Sequence, residues 1–360
     1  MTTSHAADAL GQLLLIELED DAWSAHLERW LLSLRPGGIL FSQVRPRTAG
    51  GTAELVLRIV TTVDFLPFLA LEEDGGMASL LHDLLPPLPA PRAAARAGVP
   101  AAGKLGSLVG AGMNHLGFNT NFAPVLDLLT PFSEAILGSR AWGEDPREVS
   151  RCADAFVGGL IRHRVLACGK HFPGLGGVRP ATESALPVVS KAMAELWRED
   201  LVPYRELRSK LPLVLLSGCA YKAYDLDVLR PAALSPSVLE GLLRVKLGYA
   251  GLAVADLRPT PVTAASLDLG DAAVQSMIAG CDVLVSTVEG AGQILDGFRR
   301  AIELGRLTTQ RLGKSMERIR TARRGLARPS GKIRKVVLDQ LAKRYERLSK
   351  DCQTEEQKIA

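Results

Sequence analysis

Eight short apolar runs, separated by amphipathic stretches, constrain this chain more than any other feature. The runs lie at 13–18, 38–42, 65–71, 120–126, 165–170, 213–217, 252–256 and 282–287. Between them, the stretches 23–34, 54–62, 101–116, 146–164, 193–207, 235–247 and 272–279 carry apolar residues at helical spacing. Strand, crossover helix, strand is the pattern of a parallel sheet. Eight such strands over roughly 290 residues fit a (β/α)8 barrel, which takes about 250 plus insertions. No G-x-G-x-x-G opens a helix after the first run, and Gly174-Leu175-Gly176-Gly177 leads into a Pro/Thr/Ser loop. That argues against an open dinucleotide-binding sheet. The expected fold is a single α/β (β/α)8 TIM barrel over 1–328. A basic C-terminal helix or tail follows at 329–360, with its helix at 332–350.

A chain of 360 residues, 47% hydrophobic and 23% charged, builds such a core without staples. Its five cysteines (Cys152, Cys168, Cys219, Cys281, Cys352) are scattered, with no CxxC pair. Neither a disulfide framework nor a zinc site is indicated, and no metal or cofactor is expected. No apolar run reaches the roughly 18–20 residues of a membrane span. The start lacks the basic region of a signal peptide, so a cytoplasmic location with reduced thiols is the expectation. Residues 321–360 carry 11 Lys/Arg against 5 Asp/Glu, while the rest nets −2. A basic, aromatic-poor tail lacks the stacking platforms of single-strand binders, so a nucleic-acid partner is not expected. Oligomeric state is open.

Polar residues gather where the apolar runs end. Glu72, Glu73 and Asp74 follow the third run, and Asp127 follows the fourth. Lys170 and His171 close the fifth, and Asp256 closes the seventh. In a barrel these positions share the C-terminal face, where active sites sit.

The ordered segments GQLLLIELE, PGGILFSQ, NTNFAPVLDL, GSRAWGEDP, GKHFPG, RPAALSPSVLEGLLRVKLGYAGLAVAD and AGCDVLVS resemble the catalytic barrel of family 3 glycoside hydrolases, in the β-N-acetylhexosaminidase branch. The likeness covers roughly residues 10 to 325. It implies a retaining mechanism on a carbohydrate substrate. The nucleophile would be Asp256, at the end of Gly251-Leu252-Ala253-Val254-Ala255-Asp256. By itself Asp256 reads as a lone carboxylate, before Leu257, that needs hydrogen bonds or a cation nearby to stay ionised. Lys170, His171 and Arg140 fall on family positions that bind sugar hydroxyls. Arg140 can also pair with Glu144 or Asp145. Asp127 reads as a residue orienting its neighbours at the rim.

The chain also departs from the pattern. The family's acid/base is a histidine polarised by an Asp two residues earlier, and these positions hold Glu183 and Ala181. A second family histidine is Leu175. Glu183 with Asp256 would restore the two-carboxylate layout of retaining glycosidases. The family's sugar-binding Asp is here Glu72, one of its arginines falls at Leu80, and Met77 ends the Gly-Gly turn. The histidine of the sixth strand is Cys219, read as a buried thiol. The expected function is a retaining glycosidase of terminal β-linked N-acetylhexosamine or a related β-sugar. The alternative is a catalytically impaired barrel that binds a sugar or a protein.

Overall fold

The computed structural model describes residues 10–42, 45–76, 79–178, 186–258 and 268–359. Its barrel strands are β1 Leu14–Glu17, β2 Gly38–Phe41, β3 Phe68–Leu71, β4 Thr120–Asn121, β5 Leu166–Phe172, β6 Leu213–Leu216, β7 Leu252–Asp256 and β8 Val283–Ser286. All pair in parallel, in chain order, and β8 closes on β1 through Leu14↔Leu284. The strands are buried almost throughout, since the core fills the barrel inside and helices cover it outside.

Two strands fall short of their apolar runs by three or more residues, and proline accounts for both. Pro67 has no N–H for the ladder, so β3 begins at Phe68, whose amide donates to Gly37 O at 3.0 Å. Pro124 likewise ends β4 after two residues. Beyond it, Lys170 N still donates to Pro124 O at 3.1 Å, and Val125 bridges Lys170. Side chains complete the β3–β4 seam, with Asn119 Oδ1 accepting from Leu69 N at 2.8 Å.

The helices start where side chains accept orphan amides: Ser24 from Leu27 N, Asp145 from Glu148 N and Thr287 from Gly290 N. The expected 193–207 helix divides into Met193–Arg198 and Val202–Leu207, because Pro203 can stand only in a first turn. Helices Val99–Leu116 and Pro146–Arg162 pack at backbone contact through Gly106 and Gly159. A β-carbon at Gly106 would lie 2.1 Å from Phe156 O.

The last helix runs Lys335–Ile359, longer than its sequence suggested. Leu341, Tyr345, Leu348 and Cys352 form a buried stripe at helical spacing, and Cys352 carries it past residue 350. Tyr345 OH donates to Leu108 O at 2.9 Å, and Ser349 Oγ donates to Pro87 O at 2.7 Å. At the N-terminal end of the barrel, Asp282 accepts from Arg244, Arg318, Ser315 and the Ala253 amide. The charges there tie β7 and β8 to the helices around them, while the opposite face of a barrel holds the site. No helix of the described residues is long and apolar enough to cross a membrane.

Candidate active site

The turn after β3 is built before it can bind anything. Asn121, at the end of β4, brackets Glu73: its Oδ1 accepts from Glu73 N and its Nδ2 donates to Glu73 O, both at 2.9 Å. The Glu73 carboxylate is fully buried. It accepts from Gly75 N at 3.0 Å, Ser79 Oγ at 2.7 Å and Leu80 N at 3.0 Å. Burial raises its pKa to about 7, against those hydrogen bonds. Leu80, at the place of a family arginine, is a buried side chain whose amide serves this carboxylate.

This turn sets Glu72 and Asp74 against Lys170. The ammonium, with no exposed surface, donates to Glu72 Oε1 at 2.7 Å and Asp74 Oδ2 at 3.0 Å. Lys170 lowers Glu72 to about 2 despite partial burial. Burial pulls the Lys170 ammonium down, but Asp74 and Glu72 outweigh it and its pKa is raised. Arg140 points to the same two carboxylates at 3.8 and 3.9 Å, and its Nη2 donates to Ile136 O at 3.0 Å. Asp145, which the sequence left open as its partner, instead caps a helix. The other oxygen of Asp74, Oδ1, is buried and has no hydrogen-bond partner among the described residues.

A regular strand would send Lys170 and His171 to opposite faces. The β5–β6 register shifts here, since Lys170 pairs with Leu215 and Phe172 with Leu216. His171 is the extra residue of a bulge, and bulges re-aim side chains beside sites. Its Nδ1 lies 2.7 Å from Asp127 Oδ2, and its amide donates to that oxygen at 3.1 Å. Asp127 Oδ1 accepts from Leu175 N at 2.8 Å, so one buried carboxylate ties the imidazole to the start of the next loop. That loop carries Ala181 and Glu183, both outside the described residues.

Asp256 closes β7, in register with Val285 of β8. It is not alone, as the sequence implied: Arg258, two residues on, holds both its oxygens. Arg258 N and Nε donate to Oδ1 at 3.0 Å, and Nε and Nη2 donate to Oδ2 at 3.1 and 2.6 Å. Arg258 Nη1 donates to Glu17 Oε1 at 2.5 Å and Ser42 Oγ at 2.7 Å. Ser42 Oγ donates in turn to Glu17. The carboxylates outweigh burial and raise the Arg258 pKa, so it stays charged. Here is the cation that an ionised Asp256 requires. Sequence reasoning missed Arg258, Glu17 and Ser42, and placed Asp74 only on the active face. Glu17 ends β1, a position comparable to that of Asp256 on β7, and was readable as the one charged residue within the first apolar run.

Cys219 is a buried thiol whose pKa burial raises to about 12, and it is no nucleophile at neutral pH. Among the described residues, no group of three or more His, Cys, Asp or Glu is placed to hold a metal ion. The structure therefore assembles two clusters at strand C-termini. One joins Glu72, Asp74, Arg140 and Lys170, with His171–Asp127 beside it. The other joins Asp256, Arg258, Glu17 and Ser42.

Residues 7–322 match the N-terminal domain of glycosyl hydrolase family 3. A β-hexosaminidase of Thioalkalivibrio sulfidiphilus is 30% identical over 303 residues, covering 81% of this chain and 85% of that protein. One of Methylococcus capsulatus is 32% identical over 237 residues, covering 64% and 70%. A solved glycoside hydrolase family 3 β-N-acetylglucosaminidase from Paenibacillus sp. superposes with a TM-score of 0.86 at 28% identity, covering 96% of this chain and 68% of that one. With the closed barrel, the strand-end clusters and this match in hand, the chain belongs to glycosyl hydrolase family 3, as a barrel of the β-N-acetylhexosaminidase type.

Proposed function

We infer that the protein is a retaining glycosidase of terminal β-linked N-acetylhexosamine or a related β-sugar, with Asp256 as its nucleophile. The observation that carries this reading is Asp256 at the end of β7, paired with Arg258, on the face where Lys170, Glu72, Asp74 and Arg140 also converge. Relatives named β-hexosaminidases support the substrate class.

In the first half-reaction an Asp256 oxygen bonds the anomeric carbon while the bond to the aglycone oxygen breaks. Glu183 gives that leaving oxygen its proton. In the second, water bonds the carbon, Asp256 departs with the electron pair, and the water proton returns to Glu183. Glu72, Arg140, Lys170 and His171 hold the sugar hydroxyls. Lys170 and Arg140 supply donors, Glu72 accepts, and Asp127 keeps the His171 ring oriented.

The test is release of the aryl alcohol from an aryl N-acetyl-β-glucosaminide. Asp256→Ala abolishes it. Glu183→Ala slows substrates with poor leaving groups by about 10²–10⁴ and spares activated ones. Wild-type rates in both variants contradict the mechanism. One observation favours the impaired, binding-only barrel: Arg258 already occupies both oxygens of Asp256. Calorimetry with N-acetylglucosamine separates the two readings, since binding without any turnover selects the second.

A further inference from the structure

We propose that Arg258 is a positioning residue acting through Asp256, which slows formation of the glycosyl-enzyme and speeds its hydrolysis. This rests on the reading of Asp256 as nucleophile. A carboxylate offers about four lone-pair sites. Arg258 brings three N–H groups to them: its amide reaches Oδ1, Nη2 reaches Oδ2, and the single Nε hydrogen is shared between the two oxygens. Whichever oxygen attacks the anomeric carbon carries a charge-assisted hydrogen bond from Arg258, which draws on the electron density the new bond needs.

The charge balance points the same way. Asp256 is an anion before the first step, a neutral ester after it, and an anion again when water displaces it. A guanidinium fixed on both oxygens favours the anion over the ester. It therefore opposes the first step and aids departure of Asp256 in the second.

Arg258 is fixed from behind. Glu17 on β1 and Ser42 after β2 take Nη1, which leaves Nε and Nη2 turned to Asp256. The clamp thus reaches from β7 across β8 to the far side of the closure. Its side chain is mostly covered, with 21% of its surface exposed. Withdrawal into solvent would strand Glu17 as well as Asp256. One guanidinium here serves two carboxylates, so changing Glu17 alters how fully Arg258 is committed to Asp256.

The experiment compares wild type, R258L, R258K and E17Q on an activated aryl N-acetyl-β-glucosaminide, by pre-steady-state release and by the pH profile of kcat/KM. Wild type releases aryl alcohol linearly, because the first step limits. R258L gives a burst approaching one equivalent per chain, because the ester accumulates. The acid limb of kcat/KM lies at higher pH in R258L than in wild type, because the cation that favours the Asp256 anion is gone. R258K keeps the limb near wild type. E17Q moves it the other way, downward, and this arm carries the test if R258L does not fold. Asp256-dependent turnover with no burst in R258L and unmoved limbs in R258L and E17Q overturns the role of Arg258 alone. Turnover that survives Asp256→Ala overturns the underlying reading, and the proposal with it.

Discussion

Replacing Lys170 by methionine tests how the site is held together. Lys170 is entirely buried and bonds Glu72 at 2.7 Å and Asp74 at 3.0 Å. Methionine fills similar volume but removes the cation. Among the described residues Asp74 then has only Arg140, at 3.9 Å, and no partner for its Oδ1. Breaking a buried pair by removing one partner costs about 3–5 kcal/mol. For a chain of this size that lowers Tm by roughly 5–10 °C at pH 7.

The pH dependence supplies the sharper check. Glu72 is lowered to about 2 in the native protein, against its ordinary 4.5. A depressed carboxylate contributes stability that is complete above 4.5 and is lost as pH falls through 2. A third of the Glu72 side chain is open to water, which screens the pair, so the contribution is on the order of 2 kcal/mol. In Lys170→Met, Glu72 loses its lowering partner, and its charge is neutralised in both states by pH 3. The stability gap between wild type and variant therefore narrows on going from pH 7 to pH 3. Thermal and urea unfolding followed by circular dichroism measure it. A gap below about 1 kcal/mol at pH 7, or one of equal size at both pH values, refutes the reasoning.

Glu73→Gln removes a buried carboxyl raised to about 7. Because the native value lies above the unfolded one, its stability contribution is present below 4.5 and lost as pH rises to 7. Wild type therefore loses up to about 3 kcal/mol across that window and the variant does not, as urea titrations at stepped pH will record. Gly106→Ala drives a β-carbon to 2.1 Å from Phe156 O and costs about 2–3 kcal/mol in denaturant unfolding; a neutral result would mean that the two helices part easily. Tyr345→Phe deletes the buried bond to Leu108 O and costs about 1–2 kcal/mol, with faster amide exchange in the terminal helix.

The barrel was legible because parallel strands buried on both faces show as apolar runs, whatever their partners. Errors lie where proline overrides the run, at Pro67, Pro124 and Pro203. The terminal helix outran its expected end because one buried cysteine, Cys352, extends the apolar stripe. Within the site, Glu72, Lys170, His171 and Asp256 were readable as polar residues at strand ends, and Arg140 through its motif. Which of them pair was not readable. Lys170 and Glu72 are 98 residues apart, and Arg258 and Glu17 are 241 apart. Only closure of the barrel brings β7 and β1 near enough for one guanidinium to bridge them. The bulge at His171 was hidden too, since register lives in the partner strand. Glu183 lies outside the described residues, so its part in the chemistry rests on the sequence and on the proposed assay.

The most direct measurement of the central claim is covalent trapping. The protein is incubated with a fluorinated N-acetylglucosaminyl fluoride, whose ester hydrolyses slowly, and then digested and analysed by tandem mass spectrometry. The account predicts one sugar per chain, attached to the side chain of Asp256, and no label in Asp256→Ala. A label on another residue, or turnover of aryl substrate with no trapped ester, would contradict it.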